Sequence, residues 1–254
     1  MSARTKYAIE AAIKKGVPVI IATGRALSAL PEDVFGIEGL RYIVTANGAS
    51  VTDLIEGGSI YSNCIEPGAL EKTVELLRRY DFMYEFFIEG RAYVERSIYE
   101  RVETMNFAER HIKYIQTTRK PVDELLDFVL LHKGSVENIN VNFENQDDRS
   151  RMRKVLGKLK HVTLTTSFDH NLELGGETTS KADAVKTLCL RFGISEEDVM
   201  ACGDSPNDLS MLKAAGLAVA MGNAKDELKA VAGYITSVND EDGVAEAIEK
   251  FVLA

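Results

Sequence analysis

Cysteine is scarce in this sequence, positive charge is in deficit, and no long apolar run occurs. The three cysteines, Cys64, Cys189 and Cys202, are odd in number and far apart, with no CxxC pair. That excludes a disulfide-stapled scaffold and leaves thiols expected to be reduced and mostly buried. The four histidines (His111, His132, His161, His170) fall in no metal-ligand spacing, so a zinc site is not expected. No apolar stretch approaches the ~18 residues of a membrane span, and the first residues do not read as a secretory leader. Thirty Lys and Arg stand against 39 Asp and Glu, a net charge of -9. An acidic surface argues against nucleic acid or an anionic membrane as the main partner. Neither GxGxxG nor GxxxxGK[ST] occurs, so no nucleotide-binding fingerprint is present. Together these absences leave a globular protein expected in the cytoplasm, with a small molecule as its partner. They say nothing of oligomeric state.

What is present is an alternation of helices and apolar strands. "SARTKYAIEAAIKKG" has helical periodicity, late lysines and a closing glycine. "VPVIIATGR" and "RYIVTANGA" are short, continuously apolar and β-branched, as strands covered on both faces are. A weaker helix, Leu27 to Phe35, separates them. The pattern then changes to a hairpin turning at Gly57-Gly58, a helix from Leu70 to Tyr80, and further strands and helices of α+β character. Tyr84, Phe86 and Tyr93 could line a pocket there, but aromatic strand residues are more often core. From "LELGGETTSKADAVKTL" the parallel signature returns, with a helix from about Lys181 to Phe192 and strands "VMAC", "LAVAM" and "YITSV". The expectation is an α/β core over residues 1–66 and 172–254, with an α+β domain inserted at 67–171.

The chemistry concentrates where strands end. "ACGDSPNDLSML" puts Asp204, Asn207 and Asp208 on one strand-to-helix turn, at the sheet edge where open α/β sheets bind ligands. Two carboxylates there suit a hard cation such as Mg²⁺, which takes oxygen ligands. Asp, Ser, Pro and Asn are also ordinary helix-start residues, so this turn alone decides nothing. Thr23 ends "VIIATGR" at the same edge, where its hydroxyl and the Gly24 N–H at a helix start would form an anion site. Lys181 opens a helix and offers a point charge for phosphate, though a single lysine is by default a surface residue.

"IIATGR", "VTANGA", "LELGGETTSKADAV", "CGDSPNDLSML", "VAMGNA" and "ITSVNDEDGVAEAI" follow one another in an order that resembles the haloacid dehalogenase superfamily. More narrowly, the series resembles the Cof-like phosphatases with a type IIB cap, and the resemblance spans essentially the whole chain. The usual proline near Gly176 and the glycine after Lys181, here Ala182, are mild departures. The resemblance implies a Rossmann-like parallel-sheet core with an inserted α+β cap. It also implies a Mg²⁺-dependent phosphomonoester hydrolase working through an aspartyl-phosphate on sugar phosphates or similar small metabolites. By it, Thr23 and Gly24 hold the phosphoryl group, Lys181 neutralises it and Asn207 hydrogen-bonds it. Asp204 ligates Mg²⁺, and Asp208 is a further ligand or supports one. Arg25 and Asn47 are positioning contacts at the mouth facing the cap.

The family's DxDGT motif, which supplies the nucleophile and the acid/base at the end of the first central strand, is not found. Only 22 residues precede Thr23, fewer than the roughly 30 of a strand–helix–strand unit. Asp33 lies in an ordinary helical context. Asp240-Glu241-Asp242-Gly243 follows an apolar strand, but Glu241 and Val244 depart from the motif, and helix capping is the blander reading. Without the central strand, two neighbouring strands would keep unpaired N–H and C=O groups inside the core. The expectation is that Met1 is an internal methionine of a longer protein and that the chain as written has little or no turnover. The competing expectation is a pseudoenzyme that binds Mg²⁺ or a phosphorylated ligand without hydrolysing it. A nucleotide-binding α/β protein is a third reading, resting on fold class alone.

Overall fold

A computed structural model describes residues 1–254. The chain opens with helix α1 (Ala3–Lys14), whose N-terminus is capped by the Ser2 hydroxyl accepting from Thr5 N–H. Four strands follow as one sheet in sequential order: β1 (Ile20–Ala22), β2 (Tyr42–Thr45), β3 (Ser50–Asp53) and β4 (Ser59–Ser62). β1 and β2 are parallel, whereas β3 and β4 form the antiparallel hairpin expected from Gly57-Gly58. Both glycines have positive φ, +77° and +87°, which only glycine adopts cheaply. The expected helix between β1 and β2 is not continuous. A 3₁₀ turn at Leu27–Ala29 precedes a single-turn helix α2 (Glu32–Phe35). Pro31 forces Leu30 into an extended conformation, ψ 142°, and so breaks the run.

A six-stranded sheet makes up the middle of the chain, in the order β7-β6-β5-β8-β10-β9. Its strands are β5 (Met83–Ile88), β6 (Arg91–Glu95), β7 (Arg119–Val122), β8 (Val136–Asn142), β9 (Val162–Thr165) and β10 (Asn171–Gly176). Around it run α3 (Pro67–Leu77), α4 (Arg96–Arg101), α5 (Glu109–Thr118), α6 (Leu125–Leu131) and α7 (Gln146–Leu156). "LELGG", expected to reopen the parallel core, instead pairs antiparallel with β8 and β9. Its alternation explains the difference: Leu172 and Leu174 join the apolar cluster under α3, α6 and α7, while Asn171 and Glu173 take the opposite face. Tyr84 and Phe86 lie in that same cluster and Tyr93 packs against it, so all three are core.

The parallel pattern resumes with α8 (Lys181–Phe192), β11 (Met200–Gly203), α9 (Leu209–Ala214), β12 (Leu217–Ala220), α10 (Asp226–Lys229), β13 (Tyr234–Ile235) and α11 (Gly243–Ile248). β11, β12 and β13 form a separate all-parallel sheet. The core β-structure is therefore split: β1 bonds only to β2, and β11 only to β12. The two edges lie close to one another. Ile21 and Met200 pack against one cluster built from α1 and α11, and Ala22 packs against the cluster holding Ala201. Yet all three residues of β1 are only half-buried, while β2 beyond it is buried throughout. The edges of β1 and β11 have not closed into a ladder with each other, in keeping with the unpaired groups expected there.

The three cysteines are free, but only Cys189 is buried; Cys64 and Cys202 are half-buried. No helix is long and apolar enough to cross a membrane.

Candidate functional site

β1 and β11 run parallel to their neighbours, and both deliver their chemistry at their carboxyl ends. Beyond β1 the ladder to β2 continues: Thr23 N–H donates to Val44 O, and Asn47 N–H donates to Thr23 O. Ala46 N–H reaches back to Arg25 O at 2.9 Å, which lays the Ala46–Gly48 turn beside Thr23–Arg25. The Thr23 hydroxyl accepts from Arg25 N–H at 3.2 Å, so no α-helix begins here; the loop is tied by its own threonine. Gly24 N–H has no acceptor within the protein and, with the Thr23 hydroxyl proton, is free to meet an anion.

Gly24 has no room for a side chain. A Cβ there would lie 2.8 Å from Asn47 Oδ1 and 3.3 Å from Asn207 Nδ2. The end of β1 thus touches the turn after β11, and the two amides meet: Asn207 Nδ2 donates to Asn47 Oδ1 at 2.9 Å. Asn47 sits in the left-handed region, φ 59°, which asparagine tolerates better than most residues.

The turn itself divides its carboxylates between two tasks. Asp208 Oδ2 accepts from the N–H groups of Asp204 and Ser205 at 3.0 and 3.1 Å, closing a capping box. Its Oδ1 accepts from Lys181 Nζ at 2.6 Å in an ion pair that is 7% exposed on both sides. Asp208 is thus already matched to a cation. Asp204 is not: its oxygens accept only from the neutral Ser205 hydroxyl and Asn223 amide, at 3.0 and 2.9 Å. A half-buried carboxylate without a counter-charge, at the carboxyl end of a parallel strand, is the donor a hard cation takes. At no point do three or more Asp, Glu, His or Cys side chains come together so that they could hold a metal ion. Asp204 therefore fits as one ligand, and Asp208 fits as the group that holds Lys181 and the turn.

Two expected mouth residues do face the middle sheet. Arg25 lays its guanidinium over the Tyr114 ring of α5, 4.9 Å from the centroid. Asn47 donates to Glu173 of β10 at 2.8 Å. Asp242 is turned elsewhere: it accepts from the hydroxyls of Ser2 and Thr5 and so pins the start of α1, while Asp240 and Asp33 are exposed.

Residues 1–248 match the sequence profile of the haloacid dehalogenase-like hydrolases. This chain belongs to that family. It is 31% identical over 257 residues to a 5-amino-6-(5-phospho-D-ribitylamino)uracil phosphatase of Bacillus subtilis, covering all of this chain and 89% of the relative. A haloacid dehalogenase-like hydrolase structure from B. subtilis superposes with a TM-score of 0.83 at 28% identity, over 98% of this chain and 93% of that one. A subclass IIB sugar phosphatase of the superfamily gives 0.82 at 22% identity, over 100% and 93%, a likeness of fold. The Rossmann-like α/β architecture with a type IIB cap, expected from the motifs, is thereby borne out.

A buried polar network that the motifs do not include lies in the middle sheet and reaches Asn47. Glu173, Asn171 and Asn140 are buried and hydrogen-bonded in series, and Asn140 Nδ2 donates to Glu85 at 2.6 Å. Glu85 is paired in turn with Arg119, whose guanidinium covers Tyr114 at 4.4 Å. His111 and His170 stand 4.6 Å apart, and burial lowers both, His111 to about 4, so both are neutral at neutral pH. The signal was the alternation of "NLEL" and "NINVNF", which sends Asn138, Asn140, Asn142, Asn171 and Glu173 to one face and Leu, Ile, Val and Phe to the other.

Proposed function

We propose that the carboxyl ends of β1 and β11 hold the phosphoryl group of a small phosphorylated metabolite, a sugar phosphate or similar compound, for Mg²⁺-dependent phosphomonoester hydrolysis. The observation that carries this reading is the charge pattern of the site: free donors at Thr23 and Gly24, a buried cation at Lys181, and an uncompensated carboxylate at Asp204. Thr23 and Gly24 donate to the phosphoryl oxygens, Lys181 offsets their charge, and Asn207 gives its remaining N–H. Asp204 is the protein's ligand to Mg²⁺, with Asp208 in support. The ion, when bound, supplies positive charge where phosphoryl transfer gathers negative charge. The middle region, expected at 67–171 and carried on by β10 to Gly176, acts as the cap over a core made of the rest of the chain, and Arg25 and Asn47 are its contacts at the mouth. The phosphatase relatives support the class of reaction.

The nucleophilic Asp of the aspartyl-phosphate route belongs in the gap between β1 and β11, on a strand parallel to both. The unpaired, half-buried edges there support that placement. Without such a strand the chain binds phosphate and does not turn over. The test is hydrolysis of p-nitrophenyl phosphate with Mg²⁺, by the chain alone and by the chain extended at its N-terminus with an apolar strand ending in Asp-x-Asp. Turnover only in the extended chain, lost with Asp204→Ala, is expected. Turnover by the unextended chain would overturn the placement of the nucleophile.

A further inference from the structure

We infer that Glu173 is a positioning residue: from the middle sheet, its carboxylate sets which way the amides of Asn47 and Asn207 point, and so arms the phosphate-holding end of the site. This rests on the reading that Asn207 holds phosphate.

Glu173 is buried and forms no ion pair with Lys or Arg. Its Oε1 accepts from the Ser167 hydroxyl at 2.7 Å and from Asn171 Nδ2 at 3.0 Å; its Oε2 accepts from Asn47 Nδ2 at 2.8 Å. An ionised carboxylate only accepts hydrogen bonds, whereas a carboxamide has one accepting and one donating end. Glu173 must therefore receive the NH₂ end of Asn47. That leaves Asn47 Oδ1 facing the core, and Asn207 must present its own NH₂ there. One hydrogen of Asn207 Nδ2 is taken by Asn47, and the other remains for an anion beside Gly24. Asn207 Oδ1, buried and without a partner, is left on the side away from Asn47. A reversed chain would instead turn acceptor oxygens toward the phosphate.

Burial raises the Glu173 carboxyl, and the three donors, with Lys181 nearby, oppose that rise and favour the charged form. The same carboxylate receives Ser167, in the loop that also carries Asp169 against Lys225 of the core at 3.2 Å. The middle sheet thus meets the core at two points here: Asn47 on the phosphate-holding side, and Lys225 at the start of α10. The Asn47–Glu173 bond exists only while β10 is seated on the Ala46–Gly48 turn.

Side-chain amide NMR of ¹⁵N-labelled protein, with calorimetric titration of inorganic phosphate plus Mg²⁺, separates the possibilities for wild type, N207A, E173A and E173Q. In E173A the Asn47 and Asn207 NH₂ signals should shift and exchange faster with water. Phosphate affinity should fall about tenfold, the scale of one hydrogen bond. E173Q, which can still accept from Asn47 through its Oε1, should keep affinity within about threefold of wild type. A folded E173A, with both amide signals and phosphate affinity unchanged, overturns the inference. So does E173Q as impaired as E173A. If wild type fails to bind phosphate, or N207A binds as wild type does, the phosphate reading falls, and the amide signals still decide whether Glu173 orients Asn47.

Discussion

Asp204 and Asp208 lie four residues apart, and their surroundings give them opposite roles. Asp208 is enclosed and paired with Lys181; Asp204 is half-buried and unpaired with any cation. Removing one member of a buried ion pair strands the other, so Asp208→Ala should destabilise the fold by about 3–5 kcal/mol, measured by urea denaturation. Asp204→Ala should leave stability within about 1 kcal/mol and act on Mg²⁺-dependent binding instead. Gly24→Ala is a sharper probe of geometry. Its methyl would press on both Asn47 and Asn207 and should weaken phosphate binding by at least about tenfold, the scale of one hydrogen bond, at little change in melting temperature. Unchanged binding would mean that the two amides do not serve the anion.

Among the elements, β8 carries a titrating joint. Glu137 accepts twice from Gly90 N–H, and Gly90 O in turn accepts from Ser28 N–H just beyond Arg25. Burial pushes the Glu137 carboxyl up to about 7, against the pull of the Gly90 bonds. Between its ordinary value and that raised one, the folded state holds a proton that the unfolded chain has lost. Its contribution is therefore full below pH ~4.5 and is lost as pH rises through about 7. Glu137→Gln should be more stable than wild type near pH 8.5, by up to about 3 kcal/mol, and equal to it below pH ~5. Urea denaturation at the two pH values checks this.

Strands and helices with strong periodicity were legible from the sequence: α1, α8 and the hairpins fall where pattern and glycine place them. The ends of β1 and β11 were legible too, because Thr, Gly, Asp and Asn at strand ends carry both turn chemistry and ligand chemistry. The helix after Gly24 was not, since Pro31 overrides a periodicity that otherwise reads as helix. Nor was the place of β10, because "LELGG" reads equally as a core strand; only its Asn and Glu, which must find polar partners, mark it as part of the middle sheet. Glu173 could not be assigned a role from sequence at all. Its partner Asn47 lies 126 residues away, and no local pattern encodes that meeting.

At the scale of the molecule, the unusual feature is a core sheet in two pieces with β1 half-exposed at the break. Unpaired parallel edges side by side lose both ladder bonds and apolar cover. A strand supplied there by N-terminal extension should raise the melting temperature by at least about 2–4 °C in thermal unfolding, as ~1 kcal/mol of added stability does in a chain of this size. The proposed phosphate site straddles this break, with Thr23 and Gly24 on one side and Asp204, Asn207 and Asp208 on the other. Its existence as a binding site is the central claim. Calorimetric titration of inorganic phosphate into the protein with and without Mg²⁺, repeated on Lys181→Ala and Asp204→Ala, tests it most directly. The predicted result is Mg²⁺-dependent binding that each variant weakens at least about tenfold, the scale of one charge-assisted hydrogen bond or ion ligand. Absence of binding, or equal binding by folded variants, would contradict it.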